Sequence, residues 1–274
     1  MRNITNWALL CTTNDPESLT IVRIAQKLGI PLIQSEQMHG ATLAQEPELF
    51  ARIRALGSVQ HLAIVEIPGV VQEAELQSTG ITIHILDHHT YPNLDRMQPV
   101  ASLTQFLQLF EITQEDLVAH GFDPEIIHGI ALIDQGFLWE LAVSALPEEK
   151  QRLAREAYIT CKKEIDPKTE EIFTDAKRAW KNREEHEGIL IVRSASTHRV
   201  REAVAFCIAD VYPVHPPTSI VIEGDGRISV QESEKAEKLF TMYGGFLFGK
   251  KRCWGILPED RPPSVDKIIA NIRQ

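Results

Sequence analysis

Apolar and polar positions alternate along the first third of the chain in a repeating way. Residues 7–13 (WALLCTT) form a short apolar run that ends in the polar turn NDPES. Leu19, Val22, Ile24, Ala25 and Leu28 then recur at near-helical spacing, and Gly29 follows as a C-cap would. The order is strand, loop, helix, and it repeats. IPLIQ (30–34) precedes a helical EPELFARIRAL (46–56) closed by Gly57. The run HLAIVEI (61–67), a polar helix and the run ITIHIL (81–86) come next. Strands alternating with helices of this length predict a parallel sheet covered on both faces. Ligand sites in such sheets lie beyond the carboxyl ends of the strands. The loops at Asn14–Ser18, Glu66–Gly69 and Asp87–Tyr91 are therefore the places to look for chemistry.

After Asp87 the pattern turns helical, over Ser102–Phe110 and Gln114–His120. The apolar GIALID (129–134) is read as a further buried segment ending in an acid, ahead of a helix around Phe137–Ala145. Residues 147–185 are charge-dense and predict two helices that break near Asp166-Pro167. From Gly188 the composition changes: a strand ILIVRS (189–194), a helix near 198–208, a hairpin SIVIEGDGRISV and a helix ESEKAEKLFTMY leading into Gly244-Gly245. Glu223-Gly224-Asp225-Gly226 supplies the hairpin turn; no Gly-Lys-Ser/Thr follows to make it a phosphate loop. The expected organisation is an α/β protein. A parallel sheet flanked by helices occupies 1–145, a helical connector 146–187, and a second, smaller mixed α/β domain 188–274.

The chain has 274 residues, 43% hydrophobic and 24% charged, which is ordinary for a globular protein and excludes a disordered tail or a collagen. No apolar run approaches the ~20 residues of a membrane span, so no membrane association is expected. The apolar N-terminus lacks a small-residue cleavage site and is read as a strand. Four widely spaced cysteines without a CxxC pair are expected to be reduced thiols of a cytoplasmic protein. The net charge is −10, and it is uneven. Residues 186–274 carry 12 basic and 11 acidic groups, so the acidic excess lies in the first 185. Such a balance repels long polyanions and suits carboxylates gathered around metal. The run Lys250-Lys251-Arg252 offers a local phosphate contact in the near-neutral part, although three basic residues in a row are also what a solvated turn looks like.

Asp87-His88-His89 stands where an apolar strand ends, and other acids occupy equivalent positions: Asp15 and Glu17 after the first strand, Glu66 closing the third, and Asp134 closing GIALID. Mixed oxygen and nitrogen ligation of this kind suits Mn²⁺ or Mg²⁺ better than a thiolate zinc site. Two such ions about 3.5–4 Å apart polarise a phosphoryl group and activate water.

At these residues the sequence resembles the DHH phosphoesterase superfamily, of the RecJ-like and oligoribonuclease–phosphonucleotide phosphatase type, with its associated C-terminal domain. The resemblance runs through the entire chain. It implies that Asp15, Glu66 and Asp134 hold one ion, and that Glu17, Glu66, His88 and Asp134 hold a second. His89 would face the substrate phosphate as acid or electrostatic stabiliser, and Asp87 would orient the histidines. In the C-terminal part, Arg193 of the Arg193-Ser194 pair and the amides of Gly244 and Gly245 would hold the rest of a small phosphorylated substrate, a nucleotide or a short single-stranded oligonucleotide. The resemblance leaves room for an oligomer.

Three positions depart from the family pattern. Where a histidine is expected stands Cys11 if the spacing is kept, or Thr12 or Thr13 if it shifts; Cys11 is read either as a buried strand cysteine or as a substitute thiolate. Glu17 and Glu66 replace aspartates. The loop GGFLFGKKRCWG lacks the histidine that often follows the glycines. The expectation is thus a metal-dependent phosphoesterase; the alternative is a catalytically degenerate member that binds a nucleotide or metal as a sensor or interaction module.

Overall fold

The computed structural model describes residues 2–91, 94–96 and 98–274. These fall into two compact units, one formed by 1–131 with 156–165, the other by 132–155 with 166–274. No helix among the described residues is long and apolar enough to cross a membrane.

The first unit is built on a parallel sheet of β1 (Trp7–Cys11), β2 (Leu32–Gln34), β3 (His61–Val65) and β4 (Thr82–Leu86), in the order β2-β1-β3-β4. The helix α1 (Pro16–Lys27) connects β1 to β2, α2 (Leu49–Ala55) precedes β3, and α3 (Val70–Ser78) joins β3 to β4. All five residues of β1 are buried, as expected of a central strand with both faces covered. Ala8, Leu10, Leu62 and Ile64 pack with Leu43, Leu49, Ile53 and Leu76 in one contiguous core. Leu10 sits opposite Ile64, and Val65 opposite Leu86. This register brings the carboxyl ends of β3 and β4 level, so that the Glu66 amide donates to the Leu86 carbonyl at 3.1 Å.

Beyond β4 the chain makes the two short strands β5 (Thr90–Tyr91) and β6 (Leu94–Asp95), then helices α4 (Ser102–Leu109), α5 (Gln114–Ala119) and α6 (Pro124–Ala142). GIALID thus lies inside α6, a correction to its reading as a segment ending at a strand-like acid. Helix α6 is broken at Phe137, whose φ is 61° and ψ −157°. The charge-dense stretch forms α7 (Glu148–Ile165) and α8 (Thr169–Lys181), separated at Asp166-Pro167.

The second unit carries a six-stranded mixed sheet in the order β11-β12-β10-β9-β8-β7. Its strands are β7 (Glu184–His186), β8 (Ile189–Arg193), β9 (Ser219–Ile222), β10 (Ile228–Gln231), β11 (Phe246–Phe248) and β12 (Cys253–Ile256). Only β8 and β9 pair in parallel. Helices α9 (Arg201–Val211), α10 (Ala236–Tyr243) and α11 (Val265–Arg273) cover it. Alternation sends Leu190, Val192 and Val221 to the α8 and α9 face, while Ile191, Ile220, Val230 and Trp254 meet Leu239 and Ile268 of α10 and α11. The edge strand β7 is Glu-Glu-His and exposed throughout, a charged edge that resists pairing with another chain.

The β9–β10 hairpin turns as expected, with the Gly226 amide donating to the Glu223 carbonyl at 2.9 Å. Gly224 packs backbone against backbone: a Cβ there would lie 2.4 Å from the Ala195 carbonyl oxygen. Gly224→Ala should therefore destabilise by about 1–3 kcal/mol through forced backbone displacement. Thermal unfolding by circular dichroism would read this as a lower Tm, and an unchanged Tm would show that the turn yields freely.

Candidate metal centre

The centre is assembled at the carboxyl edge of the parallel sheet. Glu17 lies in the first turn of α1, Glu66 follows β3, and Asp87, His88 and His89 follow β4. Ligand-type atoms of Glu17, Glu66 and His88 lie within 4.8 Å of one another, and so do those of Glu66, His88 and His89. His88 Nε2 is 3.1 Å from Glu66 Oε1 and 3.8 Å from Glu17 Oε2.

Helix α4 shapes this edge through groups that carry no motif. The Leu103 amide, in the first turn of α4, donates to Glu17 Oε1 at 2.8 Å. Glu17 is only 1% exposed, and the positive end of a helix is one of the few environments that tolerates a buried carboxylate. Ser102 Oγ donates to Glu66 Oε1 at 2.8 Å. Gln105 clamps the Asp87 backbone, donating to its carbonyl at 3.0 Å and accepting from its amide at 3.2 Å.

Glu66 adopts φ 54°, the left-handed region that costs an ordinary side chain about 1 kcal/mol or more. The conformation survives because the groups around it hold it: the amide is fixed to β4 and the carboxylate to Ser102 and His88.

Asp87 orients rather than converges. Its Oδ1 accepts from the His89 amide at 2.9 Å and lies 3.1 Å from His89 Nδ1, while Oδ2 accepts from Tyr91 Oη at 2.8 Å. Burial raises the Asp87 carboxyl, but the hydrogen bonds from His89 and Tyr91 outweigh it and hold the group below its ordinary range. Burial and the neighbouring Asp87 charge push the Tyr91 phenol well up, so it remains a donor. With Nδ1–H given to Asp87, the half-exposed His89 has its tautomer and ring direction set.

Asp15 serves as the N-cap of α1, its Oδ1 accepting from the Ser18 amide and hydroxyl, each at 2.7 Å. It is not a member of either converging set. Cys11 is fully buried at the end of β1, its thiol directed at the Ser18 carbonyl at 3.7 Å. Burial first, then the charges of Asp15, Glu66 and Glu17, push this thiol well above its ordinary range, which favours the strand-cysteine reading over a thiolate. Asp134 stands half-buried on α6, in the second unit.

The residues fit a divalent cation. The buried carboxylate of Glu17, the partly buried one of Glu66 and the largely buried His88 imidazole form an oxygen-rich set with one nitrogen, the preference of Mn²⁺ and Mg²⁺. Without a cation, gathering two desolvated negative charges is costly.

No family model matches the chain, and no curated protein does so significantly. Solved structures do. The chain is similar to a pGpG-specific phosphodiesterase, PggH of Vibrio cholerae, at 15% identity, covering 97% of this chain and 99% of that one with a TM-score of 0.44. It is similar to RecJ of Thermus thermophilus in complex with Mn²⁺, at 12% identity, 97% of this chain, 51% of that one and a TM-score of 0.48. A further structure, exonuclease RecJ bound to manganese, matches at 12% identity over 98% of this chain and 93% of that one, with a TM-score of 0.43.

Arg193, Gly244 and Gly245, expected from the sequence to hold substrate, lie in the second unit. Arg193 ends β8, is about half-exposed, and its Nε lies 3.5 Å from Glu184 Oε1. Gly244 and Gly245 have φ 71° and 84°. A Cβ on Gly245 would lie 2.2 Å from the Gly255 carbonyl oxygen, so no other residue fits, and Trp254 Nε1 donates to the Gly244 carbonyl at 2.7 Å to fix the loop. The basic run is engaged with acids instead: Lys250 pairs with Glu140 at 2.6 Å, Lys251 with Glu237 at 3.0 Å and Arg252 with Glu234 at 3.5 Å. It is a set of tied surface charges, not an open phosphate contact.

Proposed function

We propose that this chain is a metal-dependent phosphoesterase of small phosphorylated substrates, nucleotides or short single-stranded oligonucleotides. The observation that carries the reading is the convergence of Glu17, Glu66 and His88 within 4.8 Å at the carboxyl edge of a parallel sheet. Glu17, Glu66 and His88 would hold Mn²⁺ or Mg²⁺, and the family resemblance adds Asp15, Asp134 and a second ion. A divalent cation there supplies Lewis acidity toward a phosphoryl oxygen and activation of water.

The protein's own groups do the rest. His89, its ring set by Asp87, holds or delivers a proton beside the substrate phosphate. In the second unit, Arg193 and the amides of Gly244 and Gly245 are the groups that the family resemblance assigns to the rest of the substrate. The acidic first 185 residues favour short substrates over long polyanions. The four free, buried cysteines accord with a cytoplasmic setting.

The test is to strip the protein of metal, titrate Mn²⁺ while counting bound ions, and assay a chromogenic phosphodiester alongside a short oligonucleotide. Hydrolysis rising as ions bind supports the reading, and saturation at two supports the binuclear form. Binding without turnover on either substrate would move the chain to the sensor or interaction class.

A further inference from the structure

The loop that follows Gly244-Gly245 reads Phe-Leu-Phe, and strand alternation separates its side chains. Leu247 pairs across from Trp254 and joins the core with α10, whereas Phe246 and Phe248 stand opposite Gly255 and Cys253 on the other face. The Phe246 ring lies against bare backbone: a Cβ on Gly255 would come within 2.4 Å of Phe246 Cζ. The two phenyl rings are 5.9 Å apart and inclined by 33°, and Phe246 keeps 36% of its surface exposed.

Arg201, the first residue of α9, completes this surface. Its guanidinium carbon is 4.2 Å from the centre of the Phe248 ring and 5.3 Å from that of Phe246. The side chain is half-buried and donates no hydrogen bond to any described residue. Glu223, the nearby acid, has its Oε1 on the Arg201 backbone amide at 3.1 Å and its Oε2 on Arg227 at 3.2 Å. Burial pushes Arg201 below its usual range, Arg199 works in the same direction, and the charges of Glu202 and Glu223 oppose it. A guanidinium that is stacked by its face and lacks an acid along its edge keeps planar N–H donors for a bidentate anion. In contrast to Lys250, Lys251 and Arg252, each tied to a glutamate, Arg201 is a cation of this region equipped for a ligand.

We propose that Phe246, Phe248 and Arg201 form a nucleotide platform, the base stacking on the Phe246 ring and an adjoining phosphate taken by the Arg201 guanidinium. The ligand must carry both a flat π face and anionic oxygens: inorganic phosphate leaves the rings unused, and a nucleoside leaves the arginine unused. The choice of a nucleotide rests on the proposed function, but the platform is a binding site in its own right within the second unit.

The test measures binding of AMP, adenosine and inorganic phosphate to the full chain in EDTA by titration calorimetry. The wild type should bind AMP more tightly than either fragment. Phe246→Ala should weaken AMP and adenosine alike, by roughly tenfold to a hundredfold. Phe246→Leu, which keeps apolar packing on Gly255, should do the same and covers the case in which the alanine variant unfolds. Arg201→Gln should weaken AMP by roughly tenfold or more while leaving adenosine within about twofold. AMP binding no tighter than phosphate would overturn the proposal. So would a folded Phe246→Leu or Arg201→Gln variant that binds AMP like the wild type, or an Arg201→Gln loss that is equal for adenosine and AMP. His88→Ala separates the two readings, since it should lose turnover yet bind AMP normally in EDTA. Wild-type AMP binding without any hydrolysis would remove the phosphoesterase reading and leave the platform standing; hydrolysis without platform-dependent AMP binding would do the reverse.

Discussion

Glu66→Gln should abolish metal-dependent phosphodiester hydrolysis, by on the order of a thousandfold or more, and should at the same time stabilise the metal-free protein. The activity loss follows from position: Glu66 is common to both converging ligand sets, so removing its charge weakens every arrangement in which an ion is held there. The stability gain follows from electrostatics. Glu66 lies in a cluster with Glu17, and both help to push the Cys11 thiol up, a sign of the negative potential at the strand ends. A glutamine keeps the length and still offers an oxygen to Ser102, whose Oγ donates to Glu66 Oε1 at 2.8 Å, but it removes one repelling charge. His88→Ala should lose activity to a similar extent without the stabilisation, because it removes a ligand nitrogen 3.1 Å from Glu66 and 3.8 Å from Glu17 but no negative charge. Initial rates in Mn²⁺ and melting temperatures in EDTA check both statements. A Glu66→Gln enzyme with wild-type rates would remove Glu66 from the site, and a lower melting temperature in EDTA would mean that the Ser102 and His88 contacts outweigh the repulsion.

The sequence carried the parallel sheet well because its strands obey simple rules. WALLC, HLAIV and TIHIL are short β-rich runs between helices, and the acids that matter follow them at once. Asp87-His88-His89 and Glu66 were legible for the same reason. GIALID was not, because a six-residue apolar run has no period of its own and reads equally as a buried strand or as the inner face of a helix such as α6. The contributions of α4 were also invisible. Ser102 and Gln105 are common residue types, and the donor to Glu17 is the Leu103 backbone amide, which any sequence would supply. Asp15 carries a role that the ligand pattern did not announce: its Oδ1 caps α1 by accepting from the Ser18 amide. The basic run 250–252 looked like a phosphate contact only while the positions of Glu140, Glu237 and Glu234 were unknown.

Glu232 supports the second large effect, and it lies outside the chemistry altogether. It follows β10 with φ 57° and is 5% exposed, and its carboxylate oxygens make no well-formed hydrogen bond to a described residue beyond a weak approach to the Trp139 amide. Burial pushes its carboxyl up to about 8, against the partial relief of the Arg252 charge and the Trp139 amide. Arg252 is itself divided, its guanidinium stacked 3.9 Å from the Trp139 ring centre and shared with Glu234. A buried carboxyl so poorly partnered is far cheaper to keep protonated than charged. The folded protein therefore holds a proton on Glu232 up to about pH 8, while the unfolded chain releases it near 4.5. Between those values the native state binds more protons than the unfolded state, so stability falls as pH rises, by up to about 1.4 kcal/mol per unit. Below 4.5 both states are protonated and the effect is absent. Glu232→Gln removes the titration while keeping the shape. It should leave stability at pH 5 nearly unchanged and raise it at pH 8 by about 2–4 kcal/mol relative to the wild type. Urea denaturation of both proteins at the two pH values gives the answer. Parallel pH dependences would mean that Glu232 gains a partner, water included, that solvates its charge; a wild-type curve that descends away from the variant's would confirm a buried acid kept neutral by its surroundings.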